Sequence, residues 1–319
     1  MTPGLVSNPL SQQNKQGMDR LEAVAGDFPG LHHERLGNIQ DLPAALDRLA
    51  EAGVNLLILN GGDGTVQAAM TEVLERRPWG ETPPVFALLQ GGMTNMTAID
   101  VGLRGRPAKA LARLRDRLAD DTLDPVLRRR RILRLEGALD AAPQRGMFFG
   151  AAAIYQAIQL CRTKVHPLNI EADWAAGLTL ARLLAGWVFG GKSRNEIHGE
   201  TIATAIDGAP ADTRHELLAI ATTLDRLVLG SQPFWNQNGK PLRYTAICHP
   251  PQSLLRHSLK VLYGGNERRL PEACYRSCGA EALELTLEGP FTLDGQFHEP
   301  DPQRPLRLSA PDHLDFVRL

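Results

Sequence analysis

The chain has 319 residues, 43% hydrophobic and 22% charged, with a formal net charge of −1. This length predicts two domains rather than one core, and the balance is that of a globular protein. A near-neutral chain offers no global basic field for nucleic acid. No run reaches the ~18 apolar residues that cross a bilayer, and MTPGLVSNPLSQQNK carries no apolar signal core. The four cysteines are Cys161, Cys248, Cys274 and Cys278. Only the last two are close in sequence and no second pair completes a zinc site, so free thiols in a reduced cytosol are expected.

The first third alternates strand and helix. Gly4 to Ser7 is a short strand ending at Asn8-Pro9. Asp41 to Ala52 predicts a helix, with Leu42, Ala45, Leu46 and Leu49 on one face and Gly53 as its stop. Asn55 to Leu59 is continuously apolar, as in a buried parallel strand. Gly61 to Thr65 is a turn, Val66 to Arg76 a helix, and Val85 to Leu89 a second buried strand before Gly91-Gly92. This order is that of a doubly wound α/β sheet.

Pro107 to Leu118 is an amphipathic helix and Asp120 to Pro125 a linker. Arg128 to Glu136 alternates like a strand, and its four consecutive arginines read as a solvated edge. Phe148 to Ile158 and Ala172 to Val188 read as helices. From Glu216 onward short strands dominate, in ELLAIATT, RYTAIC, LELTLEG, FTLDGQF, PLRLSA and DFVRL, which predicts an antiparallel β domain.

The central feature is Asn60-Gly61-Gly62-Asp63-Gly64-Thr65 between a buried strand and a helix. Phosphates need main-chain N–H groups at close range, where a Cβ would intrude. A helix N-terminus beyond the loop adds positive potential. Asp63 supplies a carboxylate that can hold Mg²⁺ or accept a hydroxyl proton, or simply cap its own helix. The second loop, Gln90-Gly91-Gly92-Met93-Thr94-Asn95, also ends a strand and precedes a helix. Two such loops at strand carboxyl ends make the crevice in which open α/β sheets bind ligands.

NGGDGT after an apolar strand resembles the motif of the diacylglycerol kinase catalytic-domain family, which includes sphingosine kinases and bacterial lipid kinases. Asn8-Pro9 is similar to the family's opening NP motif, and Gly92-Met93-Thr94-Asn95 stands where it shows Gly-Thr-Gly-Asn-Asp. Asp294-Gly295-Gln296 looks like its Asp-Gly-Glu motif. The resemblance implies α/β + β: an N-terminal nucleotide domain over 1–124, to which 306–319 returns, and a C-terminal antiparallel β-sandwich substrate domain over 125–305. It implies transfer of the γ-phosphoryl of ATP, with Mg²⁺, to a hydroxyl of a lipid such as diacylglycerol or a sphingoid base. The implied nucleotide-binding residues are Asn8, Gly61, Gly62, Asp63, Gly64, Thr65, Gly92, Thr94 and Asn95. The implied catalytic set is Asp63, Asp294 and Gln296, to which helix spacing alone adds Asp100. The implied setting is cytoplasmic, peripheral at the inner membrane surface, with a homodimer among the partners.

Ala68, Met96 and Gln296 stand where the family pattern has acids, and Cys278 to Leu283 is the nearest match to its Asp-Asp-Gly-Leu segment. Gln296 can hydrogen-bond but cannot act as a base. Acids lie four residues after two of these positions, at Glu72 and Asp100, one turn along the same helix face. Asp100 is therefore the candidate for a displaced carboxylate. The rival readings are a nucleotide- or lipid-binding homologue with little or no activity, and an NAD-kinase-like small-molecule kinase. The NAD-kinase family continues its second loop as Asn-x-Gly-x-Leu-Gly-Phe, which Asn95-Met96-Thr97 does not.

Gly186 to Ser193 satisfies the Walker A pattern, but the mechanism needs a strand before the loop. A helix is expected there, so Lys192 is not expected to contact nucleotide. His32-His33-Glu34 reads as a surface strand rather than a metal site.

Overall fold

A computed structural model describes residues 1–11, 14–92, 94–122, 126–139, 141–165 and 198–319. The helix read over Ala172 to Val188 and the Walker-like segment with Lys192 lie outside the described residues. The chain divides into two compact units, Met1–Ile132 with Asp312–Leu319, and Leu133–Pro311. The boundary between the units, Ile132/Leu133, falls inside a strand.

The first unit is built on β1 (Pro3–Ser7), α1 (Asn14–Gly26), β2 (His32–Arg35), α2 (Leu42–Glu51), β3 (Leu56–Gly61) and α3 (Asp63–Thr71). It continues with β4 (Val85–Gln90), α4 (Met96–Val101) and α5 (Pro107–Ala119). β1 lies between β2 and β3, and β3 pairs with β4, all parallel. Leu56, Ile58, Ala87 and Leu89 share a core with Leu21 of α1 and Ala110, Leu111 and Leu114 of α5. The predicted inward face of α2, Leu42, Ala45, Leu46 and Leu49, is buried. α3 begins at Asp63, earlier than the expected Val66, because the loop residues already form its first turn. A π turn carries it on through Glu72–Arg76. The chain end adds a further parallel contact, Phe316 opposite Phe86, with rings 5.7 Å apart.

The second unit is antiparallel. The chain enters it within β5 (Leu127–Glu136) and continues through β6 (Gln144–Gly146), β7 (Phe148–Ala152), α6 (Ala153–Val165), β8 (Glu200–Ile206) and β9 (Asp212–Thr222). Then follow β10 (Leu242–Cys248), α7 (Leu254–Tyr263), β11 (Tyr275–Ala280), β12 (Ala282–Thr286), β13 (Phe291–Leu293), β14 (Gln296–His298) and β15 (Leu306–Val317). The strands run β14-β13-β7-β9-β8-β12-β15, with β10 joining β9 to β11. Phe149, Tyr244, Phe291, Leu283 and Leu308 form the core.

Three sequence expectations change here. Phe148 to Ala152 is a strand rather than the start of a helix, because it is paired on both sides, by β9 and β13. PLRLSA and DFVRL are one strand, β15. Cys248 and Cys274 form a disulfide, although they are 26 residues apart. They end β10 and precede β11, and antiparallel pairing of Ile247 with Tyr275 brings them together. Cys278 is free and half-buried, and burial pushes its thiol up, away from reactivity.

A cross-link that closes a 26-residue loop is worth about 3 kcal/mol through the unfolded chain. Cys248→Ser and Cys274→Ser are each expected to lower unfolding stability by about that amount, read by chemical denaturation. Adding a reductant to the wild type should produce the same shift. Unmoved midpoints in all three would mean the bond does not form.

Candidate nucleotide and phosphoryl site

The geometry starts from register. Gly61, the last residue of β3, lies directly opposite Gln90, the last of β4. Both loops therefore leave the sheet at the same level and meet. A Cβ added at Gly92 would lie 2.4 Å from the Gly62 Cα, and one at Gly61 would lie 2.6 Å from the Thr65 Cβ. The glycines thus do more than admit a ligand. Gly62 and Gly92 let two backbones touch, and Gly61 makes room for the Thr65 side chain.

Side chains lock the second loop. The Gly92 N–H donates to Asn95 Oδ1 at 2.7 Å, and Asn95 Nδ2 donates back to the Gly92 carbonyl at 2.7 Å. Asn95 is buried in the left-handed region, φ 49°, which Asn tolerates better than most residues. Thr94 beside it is exposed.

The first loop is held by the NP segment. Asn8 Nδ2 donates to Thr65 Oγ1 at 2.9 Å, and the Asn8 N–H donates to the Asn60 carbonyl at 2.9 Å. Two further contributors escaped the sequence reading. Ser11 Oγ accepts the Gly62 N–H at 3.1 Å, and buried Asn14 donates to the carbonyls of Asn8 and Asn60. Nothing in their spacing marks them. Only the nearness of the NP motif hinted that this segment turns back over the loop.

Asp63 joins the two loops. Its carboxylate accepts the N–H groups of Met96 and Thr97, at 3.2 and 3.3 Å. It therefore caps α4, not its own helix. The residue keeps some exposure, yet its carboxyl is enclosed by protein. Burial pushes it from 3.8 up to about 6, against the pull of the Thr97, Met96 and Asn95 N–H groups.

This leaves the first turn of α3 without a side-chain cap. The N–H groups of Thr65 and Val66 go to the Gly62 carbonyl. Among the described residues none accepts those of Asp63 and Gly64, the first two helical positions. Buried Asn60 Oδ1 and Thr97 Oγ1 likewise have no protein partner among the described residues.

Asp100 lies one turn beyond Met96 on α4 and is buried. Arg130 Nη2 approaches its carboxylate to 3.9 Å. The arginine run is otherwise the expected solvated edge, with Arg128, Arg129 and Arg131 exposed and Arg129 pairing with Asp315 at 2.9 Å. Asp294 and Gln296 belong to the second unit. Asp294 turns the β13–β14 hairpin with φ 46°, followed by Gly295 at φ 81°. Its carboxylate accepts the N–H groups of Met147 and Phe148 at 2.9 and 2.8 Å. Gln296 opens β14, opposite Leu293. Among the described residues, no group of three His, Cys, Asp or Glu is placed to hold a metal ion.

Two outcomes test this geometry. Gly92→Ala forces the backbones apart and is expected to cost about 1–3 kcal/mol in chemical unfolding; an unchanged midpoint would remove the loop contact. The second concerns pH. With the folded value of Asp63 above the unfolded one, the folded chain holds the extra proton between about pH 4 and 6. The contribution to stability is full below pH ~4 and is lost as pH rises through about 6. The stability of the wild type minus that of Asp63→Asn should fall by on the order of 2 kcal/mol between about pH 4 and 7. A flat difference would contradict the burial.

Residues 5–122 match the family model described as the diacylglycerol kinase catalytic domain. No curated protein sequence matches the chain. Among solved structures, a diacylglycerol kinase from Bacillus anthracis is 15% identical with a TM-score of 0.63, covering 99% of this chain and 96% of its own. Two further Bacillus anthracis structures, each described as a putative diacylglycerol kinase, give TM-scores of 0.68 and 0.67 at 16% and 15% identity. They cover 99% and 100% of this chain, and 96% and 97% of their own. At such identities the likeness speaks to the fold. Carrying both glycine loops on registered parallel strands, the segment from residue 5 to residue 122 belongs to the diacylglycerol kinase catalytic domain family.

Proposed function

We propose that the chain is an ATP-dependent lipid kinase, transferring the γ-phosphoryl of ATP to a hydroxyl of a lipid such as diacylglycerol or a sphingoid base. A kinase-family domain supports phosphotransfer. The observation that carries the reading is Asp63, with a carboxyl raised to about 6 beside two helix N–H groups that lack protein acceptors. The N–H groups of Asp63 and Gly64 suit a phosphate, adding hydrogen bonds to the potential of a helix start. The N–H groups of Met96, Thr97 and Asn95 face the Asp63 carboxylate, which has about four acceptor sites in all. What remains suits either a cation or a hydroxyl proton. A value near 6 leaves the group ionised at neutral pH and still basic enough to take that proton.

Mg²⁺ is commonly held by one or two carboxylates with phosphates and water, so the lack of a three-ligand cluster is compatible with it. When bound, it would neutralise charge on the phosphate oxygens. Asn8, Gly61, Gly62, Thr65, Gly92, Thr94 and Asn95 would shape and position the nucleotide loops. We assign Asp100 to positioning, through Arg130, rather than to the transferred group. Asp294 would act by holding the hairpin that presents Gln296.

The same observation favours a second reading. Asp63 is engaged as a cap, and the family acids are replaced by Ala68, Met96 and Gln296, which suits a nucleotide-binding homologue without turnover. The proposed setting is cytoplasmic and peripheral to the inner membrane surface, and no described helix is long and apolar enough to cross a membrane. Disulfides such as Cys248–Cys274 are uncommon in the cytosol, so a thiol count on the native protein is the direct test of that setting.

The test is radiolabelled Mg-ATP with micelles of diacylglycerol, sphingosine and other hydroxyl lipids. One lipid should be phosphorylated, with activity falling below pH ~6 as Asp63 takes a proton. Asp63→Asn should lose at least about a hundredfold in kcat/KM, nearly 3 kcal/mol, while staying folded. Equal turnover by the variant would sink the assignment. Mg-ATP binding without transfer to any lipid would select the second reading.

A further inference from the structure

α7 has two apolar faces, and only one is used. Leu254, His257 and Val261 point inward: Val261 is buried, Leu254 packs against the same cluster, and His257 meets the Tyr275 ring at 5.4 Å. The opposite side carries Leu255, Leu259, Leu262 and Tyr263, exposed by 52%, 73%, 36% and 52%. Residues spaced by three and four share a helix face, so these four form a stripe. Tyr263 hydrogen-bonds to the carbonyl of Leu229, itself 57% exposed, which extends the stripe onto a neighbouring turn. Half of the ten large hydrophobics exposed among the described residues are gathered here. Scattered exposed leucines are ordinary, but a contiguous face marks a contact surface.

Charge says what kind of surface. Arg256 and Lys260 flank the stripe on α7, which has no acidic residue. From His249 to Ala273 the exposed charges are Arg256, Lys260 and Arg269 against Glu267 and Glu272, net +1 in a protein whose total is −1. Exposed Arg226 lies just before Leu229. A leucine stripe edged by Arg and Lys, with a tyrosine at one end, fits an interface of hydrocarbon below anionic headgroups. Its area, on the order of 500 Å², falls short of the ~800 Å² that each partner of a stable dimer contributes.

The helix is also held ready. The buried Arg268 guanidinium donates to the carbonyls of Lys260, Val261 and Gly265 at the helix end, and to those of Gln232 and Phe234. It lies 5.3 Å over the Trp235 ring. The disulfide closes the root of the segment. Little ordering would remain to oppose binding.

We propose that the outer face of α7, with Leu229, docks the protein on anionic lipid bilayers. The inference rests on the helix itself and shares with the proposed function only a substrate carried in a membrane. The test uses the full chain and vesicles of phosphatidylglycerol and phosphatidylcholine in equal parts, without ATP, read by co-sedimentation. Leu255→Asp combined with Leu259→Asp, both on solvent-facing positions, should keep the wild-type melting temperature and weaken vesicle partitioning by about tenfold or more. Arg256→Gln and Lys260→Gln should each weaken it about fivefold at low salt, with no such loss on pure phosphatidylcholine. Equal sedimentation of the double variant, or no sedimentation of the wild type, overturns the proposal. So does a wild-type dimer that the double variant dissociates while vesicle binding is unchanged, since the stripe would then be a self-association face. Vesicle binding without phosphotransfer would leave this inference standing and the kinase reading failed. Lipid phosphorylation with unaltered binding of the variant would do the reverse.

Discussion

The first unit depends on a backbone contact between Gly62 and Gly92. Everything about its candidate site follows from bringing two loops that close. Glycine at both positions is a steric necessity, since a side-chain carbon at Gly92 would overlap the facing main chain. Parallel register brings the loops level. The Asn95–Gly92 clip and the Asn8–Thr65 bond then fix each loop from its own side. Asp63 ties them across the contact. A single carboxylate thus serves as cap, cross-link and candidate reactive group. Its charged form is disfavoured by the enclosure that makes it useful.

The second unit is organised by a different economy of polar groups. Asp294 is nearly fully buried, and its carboxylate satisfies two main-chain N–H groups at the start of β7. The β13–β14 hairpin is therefore tied to a strand distant in sequence. An Asp-Gly pair in left-handed geometry is what a two-residue hairpin demands. The motif has a structural explanation in full, before any chemistry is assigned to it.

Legibility in the sequence followed the strength of local signals. The apolar runs of β3 and β4, the amphipathic face of α2 and the two glycine loops were readable because period and turn chemistry agreed. Phe148 to Ala152 misled, because an apolar run of five is ambiguous in period and pairing from both sides decides it. β8 and β11 were missed, since Thr, Ala, Ser and Gly dilute their pattern. The Cys248–Cys274 bond was invisible because antiparallel pairing, not spacing, brings the cysteines together. The supporting roles of Ser11 and Asn14 depend on a chain reversal that no local rule announces. Asp63 was singled out for its chemistry, but its capping of α4 rather than α3 emerges only from the contact of the loops.

The placement of α7 has one more consequence. Ile247 and Tyr275 are already neighbours in the ladder, and the Cα atoms of Cys248 and Cys274 are 4.6 Å apart. The whole segment between them leaves the sheet and returns to almost the same point. To the strands it is a hairpin turn grown long. Loop closure depends only weakly on length, so such an excursion can be lengthened or reshaped on its outer side without disturbing the register of either strand. The unit thus carries α7 anchored on its inner face alone, leaving the outer face able to change its surface chemistry independently of the sheet that bears it.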